Sequence, residues 1–577
     1  MLKKLIPLIL LGDFAFPAPV VAANYYFASA GRDGNNSCKS QDAPCQTIAK
    51  ASSIIFGQND NLLFNGGDNF LGCLNLTFRT VHSSANAPLT VKSYGSANAT
   101  LTSNCSGAGK GLIVIDGVNG VNVMNLTLRS GSATYYGVLV QNTSSALSGN
   151  ITLENLDISG FTAVSSGGHN EGGEINLRGF QTNCNGLTDI RILNNTLHGA
   201  SISAPDESGI AGEGCTAGAK PPNVANVLAQ GNHVYYMGGN SVELSGDGIL
   251  LASTYNSTEQ FNLAHDNGYN VSSTGGPVGI WFVSSTNSTT QFNEVFAMQP
   301  GSATKATDFD GYDCDIGSVD CLQQYLYSHD NYGYGFAWVA NVNTAGAWGP
   351  NTLRYSISEN DTKRVGDATA GVIAFFGGSA SGAVINVYNN TVWTNTPSTA
   401  GQRPVGFGMQ SGLPAGVFHN NIIAMTPDQY GYNNFIGCAK QAISGSSMSF
   451  KNNYYFAIDG KGKFVAYYCG GATNYTSFSE WQANAPSGDT NSVSNAVNPG
   501  LAGGGSGRTL PWIANSTMSW PPRGGPSGYV LKNGAPARSA GIKSPASIKS
   551  PGSRDYYGNP VPGVDGCYNI GAYGVCP

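Results

Sequence analysis

Charge is what this 577-residue chain has least of: only 11% of its residues are Asp, Glu, Lys or Arg, and they sum to a net charge of -6. No basic face is available for a polyphosphate, which argues against nucleic acid as a partner. The neutral polar surface left, rich in Asn, Ser, Thr and Gly, suits sugars better. Long apolar runs are also missing: past the first two dozen residues none could cross a bilayer, so no membrane partner is expected. The twelve cysteines include no C-x-x-C, and a zinc site would need such close ligand pairs.

What the chain has instead is repetition. A glycine followed by four mostly apolar residues returns as Gly137-Val138-Leu139-Val140-Gln141, Gly248-Ile249-Leu250-Leu251-Ala252, Gly279-Ile280-Trp281-Phe282-Val283, Gly311-Tyr312-Asp313-Cys314-Asp315, Gly335-Phe336-Ala337-Trp338-Val339, Gly371-Val372-Ile373-Ala374-Phe375 and Gly406-Phe407-Gly408-Met409-Gln410. Self-similarity at about 25 to 40 residues marks a solenoid whose coils bury apolar faces against their neighbours. A strand alternates faces, so residues one and three after each glycine point inward and those two and four after it outward. Asn recurs near the strand-turn junctions, as in Asn194-Asn195, Asn389-Asn390, Asn420-Asn421 and Asn452-Asn453. Asn tolerates the left-handed backbone and its amide bonds the amide above, so an asparagine ladder is expected.

Residues 1–23 carry Lys3 and Lys4, a largely apolar run from Leu5 to Leu11, and small residues Val21 and Ala23. They read as a secretory signal, which makes the protein extracellular or periplasmic. An even cysteine count in an exported chain reads as disulfides between sequential neighbours: Cys38/Cys45, Cys73/Cys105, Cys184/Cys215, Cys314/Cys321, Cys438/Cys469 and Cys567/Cys576. Three of these pairs are 31 or 32 residues apart, one coil, and the others close short loops. Residues 24–87 are expected to hold an N-terminal cap and the first coils, and 88–577 the solenoid body with a C-terminal tail.

Three stretches carry a family resemblance. They are Tyr26-Phe27-Ala28 with Pro44 to Ile48 and Asn65-Gly66-Gly67-Asp68; Gly311 to Asp315 followed by Tyr327-Ser328-His329-Asp330-Asn331; and Asp555 to Pro560 with Asn569-Ile570-Gly571-Ala572-Tyr573. In these the chain resembles the secreted right-handed parallel β-helix proteins of the pectate-lyase-like superfold, which are carbohydrate-active. The resemblance implies an all-β, single-domain right-handed parallel β-helix with an N-terminal cap. It does not bring pectin-specific roles, because G-H-G and a pectate-lyase arginine motif are absent.

Chemistry is expected where the outward column meets carboxylates. Asp308, Asp310, Asp313, Asp315 and Asp320 fall within thirteen residues of a chain with only 34 acidic groups. Asp313 and Asp315, at i and i+2 of a strand, share a face with Cα atoms about 6.5 to 7 Å apart. That spacing fits either geometry of glycoside hydrolysis, and two close carboxylates push one pKa upward. The alternatives are a calcium site from Asp308, Asp310, Asp313 and Asp315, or a solvated strand face.

Trp281, one coil away, is expected to be a sugar platform or to pack beneath a loop. His329, in a column with His265 and Glu359, is expected either to assist catalysis or to be structural. Asp310, Trp338, Asp247, Glu359, Arg178 and Glu213 complete the candidate substrate contacts. The expected activity is hydrolysis of a poly- or oligosaccharide with no required cofactor. Its rivals are a calcium-dependent polysaccharide lyase, with Lys305 or Lys363 as base and Arg354 and Arg364 as nearby cations, and a non-catalytic carbohydrate-binding or adhesive protein.

Overall fold

The computed structural model describes residues 22–131, 134–162, 172–179, 185–205, 207–215, 224–239, 245–271, 276–301, 308–341, 348–363, 371–377, 383–395, 404–507, 525–546, 548, 550–563 and 566–575. Within them the chain winds through three parallel sheets of 13, 15 and 14 strands, visited in turn by each coil. One coil shows the pattern: Asp310–Cys314 in the first sheet, Leu322–Gln324 in the second and Tyr327–His329 in the third. Parallel connections of this kind wind right-handed, and the architecture is a right-handed parallel β-helix.

The core is the stack of inward residues. In the first sheet Val138, Ile175, Ile210, Ile249, Ile280, Tyr312, Phe336, Ile373 and Phe407 lie in register, one per coil, all buried. Burying each such side chain contributes about 1.5 to 3 kcal/mol, repeated along the axis. The repeating glycine has a packing cause. A Cβ at Gly279 would come within 2.3 Å of Val295 Cγ1, and one at Gly311 within 2.3 Å of Ser328 Oγ, both side chains of the third sheet. Gly371 breaks this register: Phe336 pairs with Ile373, so the strand is displaced by one residue from the glycine-led reading and Ile373 and Phe375 face inward.

Between the second and third sheets the turn is two residues long. Its second position holds the expected ladder, in which Asn195 Nδ2 donates to Asn232 Oδ1 at 2.9 Å, Asn232 to Asn262 at 3.0 Å and Asn262 to Asn293 at 3.1 Å. Asn390, Asn421 and Asn453 continue it farther along. The position before it takes a positive φ, held by Asn194, Asn389 and Asn420 but also by Phe261, Phe292, Tyr325 and Tyr355. Those rings stack outward on one another, Phe261 on Phe292 at 4.7 Å and Phe292 on Tyr325 at 5.1 Å, which offsets the cost of a left-handed aromatic residue.

Near the start of the described chain, the short helix Ile48–Ser52 is N-capped by Thr47 and buries Ile48 and Ala51. Among the described residues four of the six expected disulfides are seen, Cys38–Cys45, Cys73–Cys105, Cys314–Cys321 and Cys438–Cys469, two of them between coils.

Each of the remaining two expected pairs has one cysteine outside the described residues. Cys215 follows the first-sheet strand Ser208–Glu213, where it is buried and disulfide-bonded. Its expected partner Cys184 lies outside the described residues, so the assignment of Cys215 to Cys184 is not among the bridges described. Cys567 is likewise disulfide-bonded, with Cys576 outside the described residues. No helix among the described residues is long and apolar enough to cross a membrane.

Candidate active site

Asp313 sits on the outer face of the first sheet, in register with Trp281 on one coil and Ala337 on the next. Alternation turns Tyr312 and Cys314 into the core and Asp313 away from it. Yet Asp313 is only 6% exposed, and its Oδ1 has no hydrogen-bond partner. Apolar groups flank it on both sides: Leu250, Ala252, Val278 and Trp281 form one outer cluster, and Tyr334, Ala337, Ala374 and Phe376 another. Burial, then the charges of Asp315, Asp310 and Asp308, hold the Asp313 carboxyl well above the usual carboxylate range.

Asp315 follows directly after the strand. Its N–H donates to Phe282 O at 2.9 Å, which continues the ladder, and its Oδ1 accepts from Ile316 N at 2.6 Å. The side chain is half-buried, and burial raises its pKa to about 7 against the opposing Ile316 hydrogen bond. The Cys314–Cys321 disulfide closes the loop that carries it. On the other side, Asp308 and Phe309 both adopt left-handed φ, 65° and 64°, a conformation that costs a non-glycine residue energy and that no residue-type signal announced.

The other members of the acidic cluster are tied to the backbone. Asp308 Oδ2 accepts from Gly276 N at 2.8 Å and Asp310 Oδ1 from Tyr334 N at 2.7 Å, so Asp310 shapes the strand entrance rather than opening to solvent. Among the described residues no group of three or more His, Cys, Asp or Glu side chains is placed to hold a metal ion. Asp247, fully buried two coils back, accepts from Val278 N at 2.9 Å and Trp281 Nε1 at 3.1 Å. Burial, reinforced by Asp308 and Glu207, raises its pKa to about 7.

Several expected contacts are placed elsewhere. Trp281 is 2% exposed, so its ring is a wall packed on Leu250 and Val278 and not an open platform. Trp338, three residues after its glycine, faces inward and is wholly buried in the core between Cys314 and Phe375. His329 and Glu359 project from the third sheet, in register with one another and with Phe296, away from the face that carries Asp313. Burial disfavours the His329 imidazolium, but hydrogen bonds to Asp330 and Glu294, both 3.1 Å, win and raise its pKa to about 9. Glu359 accepts from the Tyr327 and Tyr529 hydroxyls under the C-terminal segment.

Arg178 and Glu213 do share the first sheet, in the column that runs through Ala252 and Val283 toward Asp315. Four coils at about 4.8 Å put Arg178 about 19 Å from Asp315. There Arg178 donates to Tyr136 OH at 2.7 Å and lies over its ring. Lys363 Nζ is paired with Asp330 at 2.6 Å, and Arg354 holds Gln324 on the second sheet, so neither cation belongs to the aspartate face. Lys305 and Arg364 lie outside the described residues.

No protein-family model matches the chain, and no curated protein matches it either. Solved structures do resemble it. A family 136 lacto-N-biosidase from Eubacterium ramulus is 17% identical over 68% of this chain and 65% of its own, with a TM-score of 0.44. An alginate lyase from Paenibacillus is 13% identical over 56% of this chain and 95% of its own, with a TM-score of 0.38. A pectate lyase is 12% identical over 96% and 98%, with a TM-score of 0.39. This chain spans less than two thirds of the biosidase's length. Likeness at this level does not extend to chemistry; the fold stands on the chain's own strand register.

Proposed function

We propose that this protein is an exported glycoside hydrolase acting on a poly- or oligosaccharide, with Asp313 as general acid and Asp315 as general base or nucleophile. The observation that carries the reading is the Asp313 carboxyl: buried on an outer sheet face, flanked by apolar clusters, with one oxygen unpartnered. A carboxyl so placed keeps its proton at neutral pH and can give it to the glycosidic oxygen as the bond to the anomeric carbon breaks. Asp315, whose pKa burial raises to about 7, takes the ionised role in this reading. As carboxylate it either takes a proton from the attacking water or attacks the anomeric carbon itself. No metal is needed for these steps. The disulfides fit an oxidising compartment, and the sparse charge fits a neutral substrate.

The test is incubation of the purified protein with a polysaccharide panel, following new reducing ends and the ultraviolet absorbance of unsaturated uronates together. Hydrolysis gives reducing ends without the absorbance. Absorbance rising with the reducing ends would make the protein a lyase, and binding without either product would make it a carbohydrate-binding protein.

A further inference from the structure

Far along the first sheet from Asp313, a turn places Tyr430 toward solvent, near a Tyr467 ring that packs on Tyr468 at 4.2 Å. Asp428 Oδ1 accepts from Tyr430 N at 2.8 Å and Tyr432 N at 3.0 Å, and its Oδ2 from Asn434 Nδ2 at 3.1 Å. The turn closes through Gly431 N to Asp428 O at 2.9 Å and Asp428 N to Tyr432 O at 2.8 Å, with Gly431 at φ 79°. It is also fastened to the next coil, by Lys463 N to Gly431 O at 2.9 Å and Asn433 Nδ2 to Lys461 O at 2.9 Å. So rigid a support holds Tyr430 57% exposed. Burying a phenol is favourable, and a stiff turn that presents one to solvent has already met the ordering cost of a binding surface.

The turn walls a cavity of about 370 Å³ lined by Asp428, Tyr430, Tyr432, Tyr467 and Asn474. Three of its five lining residues are tyrosines. Asn474 adds its amide, whose Oδ1 is held by Tyr468 N at 2.8 Å. Aromatic faces with a few fixed polar groups and little charge make a surface for the apolar face and hydroxyls of a sugar ring. The cavity also lines up with the candidate active site. The outward column of the first sheet runs Asp313, Ala337, Ala374, Gly408, Gly437, Tyr467. Five coils at about 4.8 Å put Tyr467 about 24 Å from Asp313 along the axis.

We propose that this tyrosine-walled cavity is a second carbohydrate site, which holds a neutral pyranose of a glycan chain at a distance from the reacting bond. Its ligand class rests on the carbohydrate reading above, so binding is measured without catalysis. The full-length Asp313→Asn protein is run in native gels cast with galactomannan, xyloglucan or mixed-linkage β-glucan, and in a gel with no glycan. At least one glycan should retard it. Tyr430→Ala and Tyr467→Ala in the same background should each weaken that retardation about tenfold in apparent Kd, while the exposed Tyr430→Ala change leaves the melting temperature in place. Migration unchanged in all three glycans, or Tyr430→Ala retarded as strongly as its parent, overturns the site. Retardation that depends on Tyr430 in a protein that proves not to hydrolyse any glycan leaves this site standing and removes only the hydrolase.

Discussion

Trp281 Nε1 donates to Asp247 Oδ1 at 3.1 Å, and this bond ties the indole that lies in register beside Asp313 to a carboxyl buried on the preceding coil. Asp247, wholly buried, thus holds the wall next to the candidate acid.

The same carboxyl makes stability depend on pH. Its folded pKa, about 7, lies above its value in an unfolded chain. The folded state therefore binds the proton more tightly, and the stability this contributes is full below about pH 4 and lost as pH rises through 7. Asp247→Asn removes the ionisation and keeps the acceptor oxygen. The variant should lose less melting temperature than the wild type between pH 5 and pH 8 and should melt about 2 °C higher at pH 8. Differential scanning fluorimetry at the two values checks this, and parallel curves would contradict it.

The Cys314–Cys321 loop carries Asp315. A cross-link closing so short a loop contributes about 2 kcal/mol by constraining the unfolded chain. Replacing both cysteines by serine should lower the melting temperature. It should also reduce turnover more than the equivalent change at Cys38 and Cys45, which lie near the start of the described chain, many coils from Asp315. Turnover per folded molecule, measured below both transitions, separates the two effects.

Activity should survive exhaustive chelation, since proton transfer between carboxyls and substrate requires no cation. Loss with EDTA and recovery with calcium alone would instead support the lyase chemistry.

The two carboxyls set a pH profile. With Asp315 at about 7 and Asp313 held well above the usual carboxylate range by burial, the proposed active form has Asp315 ionised and Asp313 protonated. The rate kcat/KM should rise with pH through about 7 and fall again at higher pH as Asp313 loses its proton. An acid limb near pH 4 would mean that Asp315 is solvated like an ordinary aspartate.

Much of this was legible in the sequence because a solenoid repeats one packing problem. The glycine column recurs where a Cβ would strike the third sheet, and the Asn ladder recurs where one turn must be satisfied again and again. Parity likewise separates Asp313 from Tyr312. What the pattern does not carry is everything set by partners distant in sequence. Gly371 reads as the same glycine, but it meets Gly408 N, and the strand there is displaced by one residue. Pointing outward is not the same as being exposed: outer-face residues such as Leu250, Trp281 and Asp313 are buried. His329 follows the aspartates closely in sequence, yet two changes of chain direction place it on another sheet, where it balances Glu294 and Asp330. The tyrosine turn gives no repeat signal, because it is held by Asp428 and by the next coil.

The most direct measurement is the turnover of Asp313→Asn on two substrates that differ only in the leaving group. One is the natural glycoside, once identified from the panel, and the other its 4-nitrophenyl counterpart, whose phenolate departs without a proton. The change keeps volume, so the melting temperature should stay within about 2 °C. The account predicts that kcat falls at least about 10²-fold on the natural glycoside and far less on the nitrophenyl glycoside. Near-normal turnover on the natural glycoside, or an equal loss on both substrates, would contradict Asp313 as the general acid.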